Sequence, residues 1–499
     1  MKAAAFYDQG LQLSSEGRHL EAIGCFEAAL AGEPENPKIL FALGNTAQAL
    51  GMPGPAEQFF RLVLAAEPGR IEALVNLGNL LRANGQFEAA IALLRPAAAR
   101  HPQQPELALT LGSAFREAGD ESNAVQCYRA ALLANSGYIP ALVNLADILC
   151  DVGEREEART LYDRAIAATS ANEDGPDNAQ ARLNRAILHF LDGDLKEGWQ
   201  DYEARLALPG KVPATDLRLP PWQGRLEFTR LLVRAEQGIG DQILFAGLVP
   251  ELVTPNGTTI LECEPRLVSL FARSFPGVIV RPAQLKTVNG AVMADYGWLR
   301  EAGGVTAAVA MGSLPLHLRP TLASFPKPHA FLIPDADEKA RWKNVFGEKA
   351  IGLCWRSGKS GGHRAIQYAP LEAWGAFIRD LPGTPVCVQY DAMPDEIAAL
   401  EAISGRKIMV PQGIDQKQEL DRACALLSAL DAVVTAPTAV AWAAAGAGVP
   451  TFKILYDTSW TALGESREPF APSCVCVMPQ RRGDWADTFS KAKAFIAQP

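Results

Sequence analysis

The sequence predicts an α + α/β chain, with an all-helical solenoid first and two parallel-sheet α/β halves after it. Three observations lead there. A 34-residue period runs from residue 3 to about 208. Beyond a proline-rich stretch, short apolar runs alternate with helical stretches. Where the two patterns meet, Leu231-Leu232-Val233 runs into the glycine turn Glu236-Gln237-Gly238-Ile239-Gly240-Asp241 and then into Ile243-Leu244-Phe245-Ala246. That order reads as strand, tight turn and helix, a place where backbone and helix dipole can meet a ligand.

The solenoid rests on columns. Gly17, Gly51, Gly85, Gly119 and Gly153 fall in register at a shift of 34, as do Ala22, Ala56, Ala90, Ala124 and Ala158. Four residues after the alanine come Phe26, Phe60, Leu94, Tyr128 and Tyr162. Gly10, Gly44, Gly78 and Gly112 give way to Ala146, and Pro34, Pro68 and Pro102 close the first three copies. Glycine at a left-handed C-cap ends the first helix of each pair, small residues let paired helices approach, and the ring fills the groove between them. These columns resemble the tetratricopeptide repeat. A looser sixth unit follows residues 170–177, with Gly193 at the turn and Tyr202 at the ring position. The resemblance implies a groove that holds an extended peptide or a protein partner. Asn76, Asn144 and Asn184 recur on the first helices, either as a peptide clamp or as a solvated polar face.

The array is expected over 1–208, a proline-rich linker over 209–226, and two Rossmann-like halves over 227–335 and 336–499. Expected strands are Leu231–Arg234, Thr259–Cys263, Val278–Arg281 and Ala291–Ala294, then Ile351–Trp355, Val386–Gln389, Lys407–Val410, Ala432–Thr435, Thr451–Leu455 and Val475–Met478. Alternating β and α elements predict parallel sheets, with ligands at their strand ends.

Composition limits the function. A length of 499 residues, 48% hydrophobic, with mean hydropathy +0.01, fits a globular chain of about three domains. A net charge of −9 argues against a general nucleic-acid binder. No signal peptide is read at the start, so a cytoplasmic protein is expected. Ala432 to Phe452 is uncharged, but Thr435-Ala436-Pro437-Thr438 interrupts it, so it reads as a buried strand and helix rather than a membrane span. The nine cysteines form no CxxC pair and no zinc spacing, and are expected as free buried thiols.

A repeat array joined to two Rossmann-like halves resembles bacterial GT-B glycosyltransferases. Pro221-Trp222-Gln223-Gly224 and the Glu236–Ala246 stretch are similar to the start of their catalytic region. Ile351-Gly352-Leu353-Cys354-Trp355-Arg356-Ser357-Gly358 resembles the opening of their second half, and Thr435-Ala436-Pro437-Thr438-Ala439-Val440 their nucleotide-phosphate turn. The likeness is to repeat-bearing transferases of flagellin and, more distantly, to heptosyltransferases. It implies a metal-independent enzyme with no cofactor, moving a sugar from a nucleotide-sugar to a protein acceptor such as flagellin. A nonulosonic acid from a CMP donor is the implied sugar, and the array would hold the acceptor or its chaperone. A transferase for a glycan or lipid-linked acceptor, and a binding scaffold with an inactive transferase half, stay open.

Sugar transfer needs a base for the acceptor hydroxyl, donors for the leaving phosphate and a cleft that excludes water. Asp241 is the candidate base, as the resemblance implies; the bland alternative is a helix N-terminal carboxylate, whose pKa the dipole would lower. Glu236, Gln237, Gly238 and Gly240 are expected to line the same cleft. Arg356, Ser357, Lys359, His363 and Arg364, interleaved with glycines, suit a phosphate leaving group, or form an exposed basic loop. Thr435, Thr438, Ala439 and Val440 open a helix and can hold an anion, or cap that helix in the ordinary way. Trp442 stands near the place of a family histidine, which weakens a heptose donor. Gly238-Ile239-Gly240 lacks the third glycine of a dinucleotide fingerprint, because residue 243 is Ile. Asp335-Ala336-Asp337 reads as a helix cap rather than a metal-binding DxD.

Overall fold

The computed structural model describes residues 2–169, 175–208, 213–215, 217–227, 229–236, 238–288, 291–326, 329–347, 349–358 and 367–496. The chain divides into two compact bodies, Met1–Asn172 and Glu173–Pro499.

The first body is built from antiparallel helix pairs: α1 (Lys2–Ser15) with α2 (His19–Gly32), α3 (Pro37–Ala49) with α4 (Pro53–Ala66), α5 (Ile71–Ala83) with α6 (Phe87–Arg100), α7 (Pro105–Glu117) with α8 (Glu121–Ala134), and α9 (Ile139–Asp151) with α10 (Arg155–Ala168). The turn glycines Gly17, Gly51, Gly85, Gly119 and Gly153 all take positive φ, between 68° and 89°, which a Cβ would strain. The earlier glycine column serves packing instead. A Cβ on Gly44 would lie 2.7 Å from Cε1 of Phe60, and one on Gly112 2.7 Å from Cε1 of Tyr128. Each ring thus packs against a bare stretch of the preceding helix. Arginine–carboxylate pairs link successive repeats: Arg82 Nη2 reaches Glu117 Oε1 at 2.7 Å and Arg116 Nη2 reaches Asp151 Oδ2 at 3.0 Å.

The second body opens on another helix pair, α11 (Pro176–Leu191) and α12 (Leu195–Tyr202), followed by a 3-10 turn over Glu203–Ala207. This pair looks like the sixth repeat in sequence, and Gly193 keeps the positive φ of the turn column at 75°. Its contacts lie with the α/β elements. Trp199, Tyr202 and Phe190 join the same core as Leu231, Phe245 and Phe470. The Trp199 indole N–H donates to the carbonyl of Arg319 at 2.9 Å. The part of the expected linker that is described is also built in, since Trp222 N donates to the Ala308 carbonyl at 3.1 Å.

The first α/β half contains β1 (Arg230–Arg234), α13 (Ile239–Ala246), β2 (Thr258–Cys263), α14 (Val268–Ser274), β3 (Val278–Pro282), β4 (Leu285–Val288), β5 (Ala291–Ala294), β6 (Ala307–Ala310) and α15 (Leu314–Leu318). Its sheet is parallel in the order β3-β2-β1-β6. Two expectations change here. Ala291–Ala294 pairs antiparallel with β4 in a separate hairpin. The fourth strand is β6, Ala-Ala-Val-Ala, whose alanines gave no strand signal.

The second half contains α16 (Ala336–Phe346), β7 (Ala350–Cys354), α17 (Leu371–Arg379), β8 (Thr384–Cys387), α18 (Pro394–Ser404), α19 (Leu420–Ser428), β9 (Ala432–Thr435), α20 (Ala439–Gly446), β10 (Thr451–Ile454), β11 (Cys474–Val477) and α21 (Trp485–Ile496). Its sheet is parallel in the order β11-β10-β9-β7-β8. Lys407–Val410 makes a single bridge, Val386 to Met409, and is not a strand of this sheet. Asp335 caps α16 by accepting the Glu338 N–H at 2.9 Å, as the sequence indicated. The uncharged stretch from Ala432 resolves into β9, α20 and β10, and no described helix is long and apolar enough to cross a membrane.

Candidate functional site

A cavity of about 460 Å³ lies between the two α/β halves of the second body. Parallel sheets bind ligands past the C-terminal ends of their strands, and this cavity sits there for both sheets. Ile239, Gly240 and Ile243 of α13 follow β1, and Arg266, Leu267 and Leu270 follow β2. Ser357 and Gly358 follow β7, Val388 and Tyr390 follow β8, and Thr438, Ala439 and Val440 follow β9. Gln416, Lys417, the α19 residues Leu420, Ala423, Cys424 and Leu427, and Ala443 of α20 complete the wall. Much of the lining is aliphatic. Burial pushes the Cys424 thiol up to about 12, so it stays protonated.

The walls are tied across the gap. Arg266 Nη1 donates to the Lys417 carbonyl at 2.7 Å, while its Nε donates to Glu264 Oε1 at 2.7 Å. Arg273 pairs with Asp421, and its Nε donates to the Ile333 carbonyl at 2.8 Å. Helices α13 and α20 meet at Gly240, where a Cβ would lie 3.4 Å from Trp442 Cδ1 and 3.6 Å from Ala439 Cα. Gly240 therefore serves helix packing as well as the cavity wall. Gly238, the α13 N-cap, has φ −81° and ψ 168°, ordinary extended backbone.

Asp241 sits in the first turn of α13, half-buried and not among the residues lining the cavity. Among the described lining residues there is no carboxylate. Glu236, expected on the cleft, is instead 4% exposed and locked inside the first half. Its Oε1 accepts from Arg205 Nη2 at 2.6 Å and from the Gly312 N–H at 2.7 Å. Gln237 lies outside the described residues, as do Lys359, His363 and Arg364.

Arg356 leaves β7 toward α18 rather than toward an open anion site. Its Nε and Nη2 donate to the two oxygens of Glu396 at 2.6 and 2.8 Å, and Nη1 donates to Asp391 Oδ1 at 3.1 Å. The Glu396 hydrogen bonds, with Glu396 and Asp391 charge beside it, raise its pKa further above the ordinary arginine value. The backbone N–H groups of Trp355 and Arg356 both donate to Gln389 Oε1 at 3.0 Å. The Gly358 N–H donates to the Tyr390 hydroxyl at 2.7 Å.

Thr435 is fully buried beneath the site, with its hydroxyl donating to the Ala436 carbonyl at 2.7 Å. Thr438 is the α20 N-cap and accepts the Val440 N–H at 3.3 Å. The structure thus brings Gly240, Ser357, Thr438, Ala439 and Val440 to one cavity. It leaves Glu236, Gly238, Arg356 and Thr435 outside the lining, in its supporting framework. Arg266, Lys417 and Tyr390 were missed from sequence; Glu264-Pro265-Arg266 carried a cap-and-proline helix start, whereas Lys417 and Tyr390 lay in stretches without a motif. No described cluster of His, Cys, Asp or Glu could hold a metal ion.

Comparison with known proteins agrees with the helical half. Tetratricopeptide repeat family models match residues 13–77, 75–138 and 138–197. Protein FlbA of Caulobacter vibrioides is 33% identical over 326 residues, 63% of this chain and 54% of that protein. The chain therefore spans about half the length of this curated relative. Among solved structures, PilF of Pseudomonas aeruginosa is 22% identical, with 42% of this chain and 93% of that one covered at a TM-score of 0.36. A TPR protein of Thermus thermophilus is 24% identical, with 38% and 100% covered at a TM-score of 0.32. Residues 13–197 carry tetratricopeptide repeats, and the chain is similar to Protein FlbA.

Proposed function

We propose that the chain is a metal-independent GT-B glycosyltransferase that moves a sugar from a nucleotide-sugar to a protein acceptor, with the repeat array recruiting that acceptor. The observation that supports this most is the single cavity receiving strand ends from both parallel sheets, with the starts of α13 and α20 on its wall. Ser357, Thr438 and the α20 amides would face the phosphate, Arg266 and Lys417 would supply positive charge, and the aliphatic lining would take the nucleoside. Asp241, next in sequence to the lining residue Gly240, would act as base toward the acceptor. Flagellin as acceptor and a nonulosonic acid from a CMP donor rest on the sequence resemblance.

One observation favours the scaffold reading. Arg356, one of the cations expected at the phosphate, is already held by Glu396 and Asp391. The two readings separate in a thermal-shift panel of the full chain with CMP, UDP, GDP and ADP. A ligand at 100 times its Kd adds about 2.7 kcal/mol of stability, so a binding nucleotide raises Tm measurably. A transferase responds to one of the four, and Asp241→Asn keeps that response while losing transfer. No response to any nucleotide overturns the transferase reading.

A further inference from the structure

We infer that Arg205 is a positioning residue for the α13 turn, which makes the α11–α12 hairpin part of the site's framework. This rests on the transferase reading given above for the turn that carries Asp241. Arg205 ends the helical hairpin, and its side chain is 2% exposed. Nη2 donates to Glu236 Oε1 at 2.6 Å and to Ser313 Oγ at 2.8 Å. Nη1 donates to Glu203 Oε1 at 2.8 Å and to the Tyr202 carbonyl at 3.1 Å, and the guanidinium carbon lies 4.5 Å from the centre of the Tyr202 ring.

Its two acceptors in the α/β body lie on different connections. Glu236 precedes Gly238, the N-cap of α13, on the way out of β1. Ser313 follows β6, and Gly312 beside it donates its N–H to the same Glu236 oxygen. Strands β1 and β6 are neighbours, with Arg234 in register with Ala310. One guanidinium from outside the sheet thus fixes the two adjacent connections at the sheet edge where ligands bind.

The cluster is built closely around this pair. A Cβ on Gly312 would lie 2.6 Å from Glu236 Oε1 and 3.1 Å from Arg205 Nη2. Glu236 Oε2 and Arg205 Nε are buried with no hydrogen-bond partner among the described residues. An incompletely satisfied buried ion pair is a poor source of stability, because apolar residues of similar volume often do as well or better. What the pair adds is placement.

The test compares the full-length chain with Arg205→Lys, Arg205→Met, the double variant Arg205→Met/Glu236→Met, and Gly312→Ala. Hydrogen exchange is read peptide by peptide, together with the Tm response to CMP. The double variant removes both charges and so keeps the fold even if Arg205→Met alone does not. Its Tm is expected to recover toward wild type. Exchange in peptides covering 231–246 and 307–314 is expected to stay about tenfold faster, with the β7–β11 sheet unchanged. The CMP response is expected to weaken by at least about tenfold in apparent affinity. Gly312→Ala, which keeps both charges and displaces them, gives the same local pattern, and Arg205→Lys falls between it and wild type. A double variant with wild-type exchange and wild-type CMP response overturns the inference, as does exchange raised equally across both sheets. If the wild-type chain answers no nucleotide, the transferase reading falls on its own while the exchange pattern still decides the role of Arg205.

Discussion

The indole N–H of Trp199 donates to the backbone carbonyl of Arg319, 120 residues further along the chain, at 2.9 Å. Trp199 is 1% exposed, and its ring lies 4.3 Å from that of Phe190 and 6.1 Å from that of Phe470. A helix pair with the sequence of a repeat is therefore core to the α/β body. A fragment starting at Gly175 is expected to fold cooperatively, whereas one starting at Pro213 lacks this core and is expected to aggregate. Trp199→Ala in the longer fragment should cost about 3–5 kcal/mol. Urea unfolding followed by circular dichroism checks both statements.

Glu396 joins the start of α18 to the end of β7. Burial pushes its carboxyl up, but the Arg356 hydrogen bonds and the Met393 N–H outweigh that and hold it below the usual carboxylate range. A carboxyl lowered by folding stabilises above its unfolded pKa, about 4.3 for Glu, and loses that contribution as pH falls through the folded value. The wild-type Tm should therefore drop more steeply below about pH 4 than that of Glu396→Gln. At pH 7 the variant should already be weaker by about 1–3 kcal/mol. Thermal melts at a series of pH values read both effects.

Lys453 and Glu468 form an ion pair with 2% and 0% side-chain exposure. The ammonium also donates to Ser459 Oγ at 2.8 Å and Thr461 Oγ1 at 3.2 Å, and lies 4.6 Å from the centre of the Trp442 ring. Lys453→Met would leave a buried carboxylate without its counter-charge. A loss of about 3–5 kcal/mol is expected. Adding Glu468→Leu should recover most of it, and denaturant melts of the two variants measure the difference.

Gly44 and Gly24 separate two roles of glycine in the array. A Cβ at Gly44 meets the Phe60 ring at 2.7 Å, whereas one at Gly24, inside α2, meets nothing within 4 Å. Gly44→Ala should destabilise the repeats by about 1–3 kcal/mol through overpacking. Gly24→Ala should stabilise them by up to about 1 kcal/mol, as alanine favours helix. Gly54 precedes Pro55, where a Cβ is disfavoured in helical backbone, so Gly54→Ala should gain nothing. The helical signal during thermal unfolding distinguishes the three.

The repeats were legible because their constraints are local and recur: a left-handed turn at Gly85 or Gly119 demands glycine each time. Strands with β-branched residues, such as β1 and β10, were legible for the same reason. β6 was not, since three alanines around one valine become a strand only by pairing with β1. The site was half legible. Thr438 and Val440 followed from strand, turn and helix order. Arg356 was placed by its charge, but its carboxylate partner, Glu396, lies 40 residues on, and nothing in the spacing announced that pair. Glu236 misled for the same reason, because Arg205 lies 31 residues before it in a helix pair that the period assigns to the array.

The pairs Arg82–Glu117 and Arg116–Asp151 lie one period apart in sequence. Each arginine reaches an acid 35 residues ahead, in the next repeat. Excising residues 84–117 would remove Arg116 together with Glu117 and place Arg82 at that same separation from Asp151, with acid meeting base as before. As far as these two pairs are concerned, a unit can be lost from this stretch without leaving a charge stranded.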